Sequence, residues 1–221
     1  MKIGILGGTF NPIHLGHLHL ALEVRSRLNL DEILFIPNGI PPHKIDEELA
    51  SPSDRFELVK LAISGYSFFK VSDVEIKQTT RSYTIETIKK LKDSSPGVEY
   101  HFIIGLDAFL EIESWKEPVT LLESVHFVVV SRPGFQFIQL GRLPFFSKIS
   151  PVDLGEIDHN MKKRLDLQLN HFPSLTLLQV EPYPISSSEI REKIKRGEDL
   201  DNNLLPESVK SLIMKKRIFF N

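Results

Sequence analysis

The sequence predicts an α/β fold: a doubly wound, Rossmann-like parallel sheet with helices on both faces and a small C-terminal helical part. Short apolar runs alternate with amphipathic stretches along most of the chain. This alternation is typical of parallel strands that are joined by crossover helices. With 221 residues, of which 41% are hydrophobic, the chain is long enough to bury one large core.

The elements follow one another in βαβα order. The apolar runs predict strands at residues 3–6, 32–36, 70–74, 100–104, 125–130 and 175–180. The amphipathic patterns predict helices at residues 16–28, 53–63, 84–92, 115–123, 188–195 and 206–216.

Domain organisation is predicted from where this alternation stops. Residues 1–184 form one α/β domain, and residues 185–221 form a helical portion that packs on the same domain. Within the first part, residues 135–173 show no clear pattern, because Gly, Pro and Phe are scattered through them. This stretch is either a long excursion or a small subdomain.

The charge and composition of the chain restrict the kinds of molecule that it is expected to bind. The formal net charge of −2 provides no basic field for a nucleic-acid polymer, although a local cluster of cations could still hold a nucleotide. No apolar stretch approaches the length of a membrane span, and the initial run is too short for a signal peptide. With no cysteine in the chain, we expect a cytoplasmic protein without membrane or nucleic-acid partners, and a homo-oligomer is left open.

A glycine turn follows the first predicted strand. In sheets of this kind ligands bind at the carboxyl ends of the strands, where Gly7 and Gly8 let the backbone approach a phosphate closely. Neither GxxxxGK[ST] nor GxGxxG is present. His14 and His17 lie three residues apart at the start of the next helix, so both can face the same ligand.

Two alternative roles for these histidines are left open. Each could be an ordinary polar residue of a loop or helix, as could His19. A zinc site is a further alternative, although the sequence lacks the HExxH pattern and an evident third ligand.

The segment from Gly7 to His17 resembles the GGxFxPxHxGH signature of nucleotidylyltransferases, whose HxGH element is shared with class I aminoacyl-tRNA synthetases. The resemblance implies an ATP site in which His14 and His17 contact the triphosphate. The residues that it assigns to ATP binding in this segment are Gly7, Gly8, Thr9, Phe10 and Gly16.

After the second strand comes a PxHK element that ends in Lys44, and it resembles the bacterial nicotinate mononucleotide adenylyltransferase branch of that family. A solvated surface lysine is the alternative. Arg55, near the start of the next helix, could reach the same phosphates, although an exposed helix arginine is the commoner case.

Further segments resemble the same branch. They imply mononucleotide contacts from an SYT segment, a Trp and an RPG turn, and an ATP contact from a GxD element. Alternatives are helix caps for Ser82, Thr84 and Asp107, and a core position for Trp115. The residues concerned are Ser82, Tyr83, Thr84, Gly105, Asp107, Trp115 and Arg132.

A serine-rich segment lies at the start of the helix predicted at residues 188–195. It offers hydroxyls and backbone N–H groups to a polyphosphate, with a cation one turn further on. Serines at a helix start are otherwise ordinary caps. The segment resembles the ISSTxIR motif of the family through Ile185, Ser186, Ser187 and Arg191, with Ser188 in place of Thr.

Together these resemblances imply transfer of AMP from ATP to nicotinate mononucleotide, with His14, His17, Lys44 and Arg191 as the catalytic set. The metal ion is Mg²⁺ that enters with ATP, and no separate protein metal site is expected. Alternatives are another acceptor, such as nicotinamide mononucleotide or pantetheine phosphate, a nucleotide-sensing protein without turnover, and a tRNA-related fragment.

Overall fold

The structure is a computed structural model that describes residues 1–39, 49–78, 81–168, 173–201 and 203–220. Its strands are β1 (Lys2–Gly8), β2 (Glu32–Pro37), β3 (Phe69–Val71), β4 (Glu99–Gly105), β5 (His126–Val130), β6 (Arg164–Leu167) and β7 (Leu175–Leu178). Within the described residues these seven form one sheet in the order β3-β2-β1-β4-β5-β7-β6. The pairs β2–β3, β4–β5 and β5–β7 are parallel, and β6–β7 is antiparallel. The predicted fold class is confirmed.

The helices begin and end at recognisable signals. Pro52 and Pro151 occupy first-turn positions, and the Ser51 and Ser150 hydroxyls accept backbone N–H groups there. Asn29 ends the first helix in the left-handed conformation, with φ of 50°. The helices are α1 (Leu15–Leu28), α2 (Pro52–Ala62), α3 (Thr84–Ser94), α4 (Leu106–Phe109), α5 (Pro118–Ser124), α6 (Pro151–Asp158), α7 (Ser187–Lys195) and α8 (Glu207–Lys216).

The chain divides into two compact units. One, the middle unit, comprises Met1–Gly4 and Thr84–Pro182, and the other, the terminal unit, comprises Ile5–Tyr83 and Tyr183–Asn221. The terminal unit therefore contains α7 and α8 together with residues 5–83. The division into 1–184 and 185–221 that the sequence suggests stays a prediction.

The terminal unit has an apolar core built from both of its chain segments. Ile5, Phe35 and Leu58 are almost completely buried, as are Val209 and Ile213 of α8. Lys216 at the end of α8 donates to Asp54 and Glu57 of α2, at 2.8 and 2.6 Å. The C-terminal helix is thus held to α2 by apolar packing and by an exposed ion-pair network.

The middle unit has an aromatic core. The ring of Phe127 in β5 lies 5.7 Å from that of Phe102 in β4 and 5.4 Å from that of Phe109 in α4. Phe109 in turn lies 5.4 Å from Phe146, which belongs to a 3-10 helix at Pro144–Phe146. Residues 135–168 therefore contribute directly to the core of this unit.

Two predicted boundaries differ from the structure by three residues. The strand predicted at 70–74 ends at Val71, because the chain then turns and Lys77 N–H donates to the Asp73 carbonyl. The helix predicted from Trp115 begins at Pro118, after Glu117 in the left-handed conformation. A residue before proline is disfavoured in the helical region, so the helix starts at the proline.

Besides 3-10 turns, the described part of the stretch 135–173 contains an α-helix and a strand that its pattern did not reveal. One is α6, and the other is β6, which lies at the edge of the sheet and pairs with β7. The β6 sequence carries charged residues and no continuous apolar run, as is common in edge strands. Within the described residues, no helix combines the length and apolar character needed to cross a bilayer.

Candidate active site

The turn after β1 is held by hydrogen bonds to its backbone carbonyls. Gly8 O accepts from Asn38 N–H at 2.9 Å, and Thr9 O accepts from the Arg55 guanidinium at 2.8 Å. Asn11 O accepts from Arg191 at 3.0 Å. The partners come from the residue that follows β2, from α2 and from α7, so the turn is fixed by segments that are far apart in the chain.

Phe10 shapes the middle of this turn. It adopts a positive φ of 48°, and its ring is buried against His17 and Phe35, with centroid distances of 5.1 and 5.9 Å. A Cβ on Gly8 would lie 3.2 Å from that ring. Thr9 is half-buried and Gly7 is exposed, so the backbone of the turn is accessible beside a buried aromatic anchor.

The two predicted catalytic histidines lie together at the amino end of α1. Their ring centroids are 3.7 Å apart, and His14 is 7% exposed. The His14 backbone N–H donates to His17 Nδ1 at 3.2 Å. An imidazole nitrogen that accepts a hydrogen bond carries no proton, so a neutral His17 has its proton on Nε2. His17 therefore caps the helix with one nitrogen and can donate with the other.

Gly16 allows the close packing of this pair. A Cβ at this position would lie 3.0 Å from His14 Nδ1 and 3.5 Å from the Cβ of Tyr183. The first turn of α1 carries no acidic residue. The positive end of the helix dipole is thus left for an anion beside the two imidazoles.

The start of α7 is docked on the same turn. Ser187 Oγ donates to the Pro12 carbonyl at 2.9 Å, in addition to the bond from Arg191 to Asn11. Ser186 is a helix cap: its Oγ accepts from Glu189 N–H, and Glu189 accepts in return. Ile185, half-buried, precedes that cap. The structure thus brings Ser187 and Arg191 together with the glycine turn.

The segment after β2 is described only at its two ends, and Lys44 lies outside the described residues. Arg55, for which the sequence suggests a phosphate ligand or an exposed helix residue, is neither. Its side chain is 0% exposed, and its guanidinium donates to three backbone carbonyls. Burial lowers the pKa of its guanidinium to about 10, against the opposing effect of the Glu75 charge.

Ser82 is the most buried member of the SYT segment. It is 6% exposed, and its Oγ has no hydrogen-bond partner within the described part of the chain. A buried hydroxyl is normally hydrogen-bonded, so this oxygen is suited to receive a ligand or a water. Tyr83 is half-buried.

In the middle unit, Gly105 ends β4 and is the N-cap residue of α4. Asp107 in the first turn of α4 makes no cap; its carboxylate instead lies 3.6 Å from Arg132 Nε at the carboxyl end of β5. Both side chains are half-exposed. An exposed ion pair of this kind contributes little free energy, so each group can leave its partner and bind a ligand instead.

The first turn of α3 and the Trp115 region are also brought together in this unit. Lys116 donates to Glu86 at 2.5 Å, and Lys89 donates to Glu117 at 3.0 Å. Thr84 begins α3 two residues before Glu86. Trp115 is half-buried with its ring 6.4 Å from Phe102, so it is neither a core residue nor fully exposed.

Sequence reasoning missed Asn11 and the burial of Arg55. Asn11 is 5% exposed, its side chain accepts from Ala50 N–H at 3.0 Å, and its carbonyl accepts from Arg191. It occupies a variable position of the signature, which carries no signal of its own. The burial of Arg55 was detectable, because Arg55 shares the helical spacing i, i+3, i+4 and i+7 with the buried Leu58, Val59 and Ala62.

Among the described residues, no group of three or more His, Asp and Glu side chains is arranged to hold a metal ion. The groups that converge on the glycine turn are two imidazoles, a hydroxyl and two guanidinium groups. Such groups bind and neutralise a polyphosphate.

Comparison with known proteins agrees with this chemistry. The model of the cytidylyltransferase-like family matches residues 5–193. This protein therefore belongs to the cytidylyltransferase-like family, which confirms the nucleotidylyltransferase class predicted from the sequence.

Relatives narrow the class to one branch. A protein of Geotalea daltonii is 42% identical over 99% of this chain and 98% of its own length, and one of Desulfitobacterium hafniense strain Y51 is 39% identical over 99% and 95%. Both carry the name "Probable nicotinate-nucleotide adenylyltransferase". The predicted branch, the bacterial nicotinate mononucleotide adenylyltransferases, is thereby confirmed.

Solved structures share the fold. Nicotinic acid mononucleotide adenylyltransferase of Plasmodium falciparum, complexed with NaAD, has a TM-score of 0.72 at 21% identity and covers 100% of this chain and 98% of its own. The same enzyme complexed with APC has a TM-score of 0.70 at 22% identity, again covering 100% and 98%.

Proposed function

We propose that this protein transfers AMP from ATP to nicotinate mononucleotide, forming deamido-NAD and releasing pyrophosphate, as a step of NAD biosynthesis. The observation that carries the proposal is the His14–His17 pair, packed at the amino end of α1 beside the glycine turn. The names of the relatives support the choice of acceptor.

The reaction requires little acid–base help. The 5′-phosphate of the mononucleotide is largely dianionic near neutral pH, since its second pKa is about 6. One of its oxygens forms a bond to the α-phosphorus of ATP, and the bond from that phosphorus to the bridging oxygen breaks. Pyrophosphate leaves with the electron pair. Catalysis then consists of aligning the reactants and stabilising charge on the leaving group.

The terminal unit supplies the groups suited to ATP. The His17 Nε2–H donates to a phosphate oxygen while Nδ1 caps the helix, and His14, Ser187 and Arg191 add polar groups around the same turn. Gly7, Gly8, Thr9, Phe10 and Gly16 form the surface against which ATP lies. Because Ser186 is engaged as a cap, we expect it to act through the helix start rather than through its hydroxyl.

We assign a second set of predicted residues to the binding of nicotinate mononucleotide. In the terminal unit, Ser82 offers a hydroxyl that has no hydrogen-bond partner among the described residues. In the middle unit, Trp115 offers an indole face suited to a pyridine ring. Arg132 and Lys44 supply cations for the phosphate. Gly105 and Asp107 are assigned to ATP, with Asp107 accepting from ribose hydroxyls. The remaining members of the mononucleotide set are Tyr83 and Thr84.

A divalent metal ion typically accompanies ATP in nucleotidyltransferases of this family. We assign Mg²⁺ to this role as part of the MgATP substrate, where it neutralises phosphate charge. The imidazoles of His14 and His17 and the guanidinium of Arg191 would hold the phosphates of the MgATP substrate. A cytoplasmic location stays a prediction, and a homo-oligomer stays an open alternative.

The test is a coupled pyrophosphate assay with ATP and either nicotinate or nicotinamide mononucleotide, run side by side. We expect pyrophosphate release with the nicotinate form, at a kcat/KM at least about tenfold higher than with the nicotinamide form, since unpaired polar groups in a pocket discriminate by about 1.4 kcal/mol or more. A higher kcat/KM with nicotinamide mononucleotide would make that compound the acceptor instead. Release with neither compound, in protein that binds ATP, would favour a nucleotide sensor.

A further inference from the structure

Arg55 is the fully buried cation of the described part of the terminal unit, and its partners are unusual. Its Nη1 donates to Thr9 O at 2.8 Å, its Nη2 to Gly39 O at 2.8 Å and its Nε to Ala50 O at 3.1 Å. All three acceptors are peptide carbonyls. The rigid fork of a guanidinium therefore sets the relative positions of three backbone segments.

These segments are the ones to which the proposed function assigns substrates. Thr9 belongs to the turn that we assign to ATP. Gly39 follows β2, and a Cβ on it would lie 2.2 Å from the Glu75 carbonyl oxygen and 3.3 Å from Ser82 Oγ. Gly39 thus packs directly on Ser82, which we assign to the mononucleotide. One side chain connects the ATP turn to the acceptor side.

Neighbouring bonds strengthen this connection. Ala50 N–H donates to the Asn11 side chain at 3.0 Å, so Ala50 is held both by Arg55 and by the glycine turn. Asn38 N–H donates to Gly8 O at 2.9 Å. Glu75, 8% exposed, provides a negative charge that favours the protonated guanidinium. Burying a charge is costly, and the three hydrogen bonds to carbonyls and the Glu75 charge offset this cost.

We propose that Arg55 is a positioning residue, although it contacts neither substrate. It fixes the glycine turn relative to the backbone at Gly39, which packs on Ser82. The proposal rests on the proposed function for the identity of the acceptor. Its ATP half is independent of that identity.

The test compares Arg55→Lys and Arg55→Met with the wild type. Lysine keeps the charge but cannot donate to three carbonyls in fixed directions, and methionine keeps the apolar stem alone. We expect both variants to raise the KM of ATP and that of the mononucleotide, and to lower kcat/KM by about 10- to 100-fold per folded molecule, as expected for misplacement of bound reactants by a fraction of an ångström to 1 Å.

Leu58→Ala is the matched control. Leu58 lies one turn along the same helix and is 0% exposed, so its truncation lowers stability by leaving a cavity but removes no donor to the three carbonyls. We expect a lowered Tm with unchanged kcat and KM values at a temperature where the protein is folded. If Arg55→Lys behaves like Leu58→Ala, Arg55 is structural only and the proposal is overturned.

A second variant tests the same connection without changing a charge. Gly39→Ala introduces a Cβ against a backbone oxygen, so the segment has to shift. We expect it to raise both KM values as Arg55→Lys does, whereas Gly65→Ala, where nothing lies within 4 Å of the added Cβ, leaves them unchanged. Wild-type kinetics in Gly39→Ala would contradict the proposal.

ATP binding separates this proposal from the proposed function. Isothermal titration calorimetry with MgATP on the same proteins measures the ATP side without an acceptor. A weakened Kd in Arg55→Lys but not in Leu58→Ala supports the positioning role even if the wild type does not use nicotinate mononucleotide. An equal Kd in wild type and Arg55→Lys, or no ATP binding by the wild type, overturns it.

Discussion

His17 uses its two ring nitrogens for different purposes. Nδ1 accepts the His14 backbone N–H at 3.2 Å, and this leaves the proton of a neutral ring on Nε2. The ring is also in edge contact with Phe10. A side chain held by a hydrogen bond and an aromatic contact loses little freedom when a phosphate binds, which favours catalysis by a positioned donor.

We predict that His17→Ala lowers kcat by about 10²- to 10³-fold, because it removes one positioned donor to the leaving group. It should also cost about 1 kcal/mol of stability through the lost cap. His17→Asn can keep the acceptor near Nδ1, and His17→Gln can keep a donor near Nε2. We expect Asn to restore the Tm and Gln to restore part of kcat. Near-normal turnover in His17→Ala would reject the catalytic role.

Trp115 is half-buried, with one edge against Phe102. We predict that Trp115→Ala raises the KM of the mononucleotide by about 5-fold or more, since aromatic stacking on a base contributes about 1–3 kcal/mol. The KM of ATP should change less. Steady-state kinetics with each substrate varied in turn measures both values, and the opposite ranking would remove the stacking assignment.

At the scale of elements, β4 and β5 carry a histidine pair near their amino ends, in the middle unit. The rings of His101 and His126 are stacked at 4.8 Å, and Glu99 Oε1 lies 2.8 Å from His101 Nε2. Burial lowers the pKa of both imidazoles, against the opposing effect of Glu99. Burial alone would raise the pKa of Glu99, but the His101 hydrogen bond and nearby positive charges lower it.

The sign of the pH effect follows from these directions. An unfolded histidine takes up a proton near pH 6.5, whereas the pKa of each histidine in the folded pair is lower. As the pH falls, the unfolded state therefore binds protons first, and the folded state loses stability relative to it. We predict that the Tm of the wild type falls between pH 7.5 and 5.5, and that His101→Gln reduces this fall. The positive charge of Lys2 also lowers the pKa of both imidazoles, and that of Lys92 lowers the pKa of His126.

Calorimetry at the two pH values measures the difference. His159→Gln, at an exposed position after α6, is the matched control and should leave the pH dependence of Tm as in the wild type. An equal fall in wild type and His101→Gln would show that the buried pair does not govern stability in this range.

At the scale of the molecule, the stretch 135–168 is part of the core of the middle unit. Asp158 at the end of α6 accepts from the backbone N–H groups of Phe137 and Ile138, at 2.7 and 2.9 Å. Phe137 and Phe146 are almost completely buried. A stretch without a regular sequence pattern is therefore held by a carboxylate-capped turn and by aromatic packing.

We predict that Phe146→Ala lowers the free energy of unfolding by about 3–5 kcal/mol, because it leaves a cavity beside Phe109. Phe135, 42% exposed, provides the control, and its truncation should cost about 0.5 kcal/mol or less. Urea denaturation of the two variants measures both values. Equal losses would mean that residues 135–168 do not share the core.

Much of the architecture was predictable because its signals are local. The boundaries of β1, α1, β2 and α7 fall within one or two residues of those expected, since apolar periodicity and capping residues lie next to one another in the chain. The edge strand β6 was not predictable in this way. Its partner β7 lies beyond residues 169–172, and pairing with a distant strand, rather than its own composition, makes it a strand.

By itself, the sequence determined the order of most elements outside residues 135–173, the glycine turn and the family, because backbone propensity and a contiguous signature are properties of neighbouring residues. Only the tertiary structure decided that Arg55 is buried among carbonyls and that Asp107 pairs with Arg132. It also decided that α7 docks on the turn through Ser187 and Arg191. The physical reason is that burial and hydrogen-bond partners depend on residues up to 180 positions apart, which folding alone brings within 3 Å.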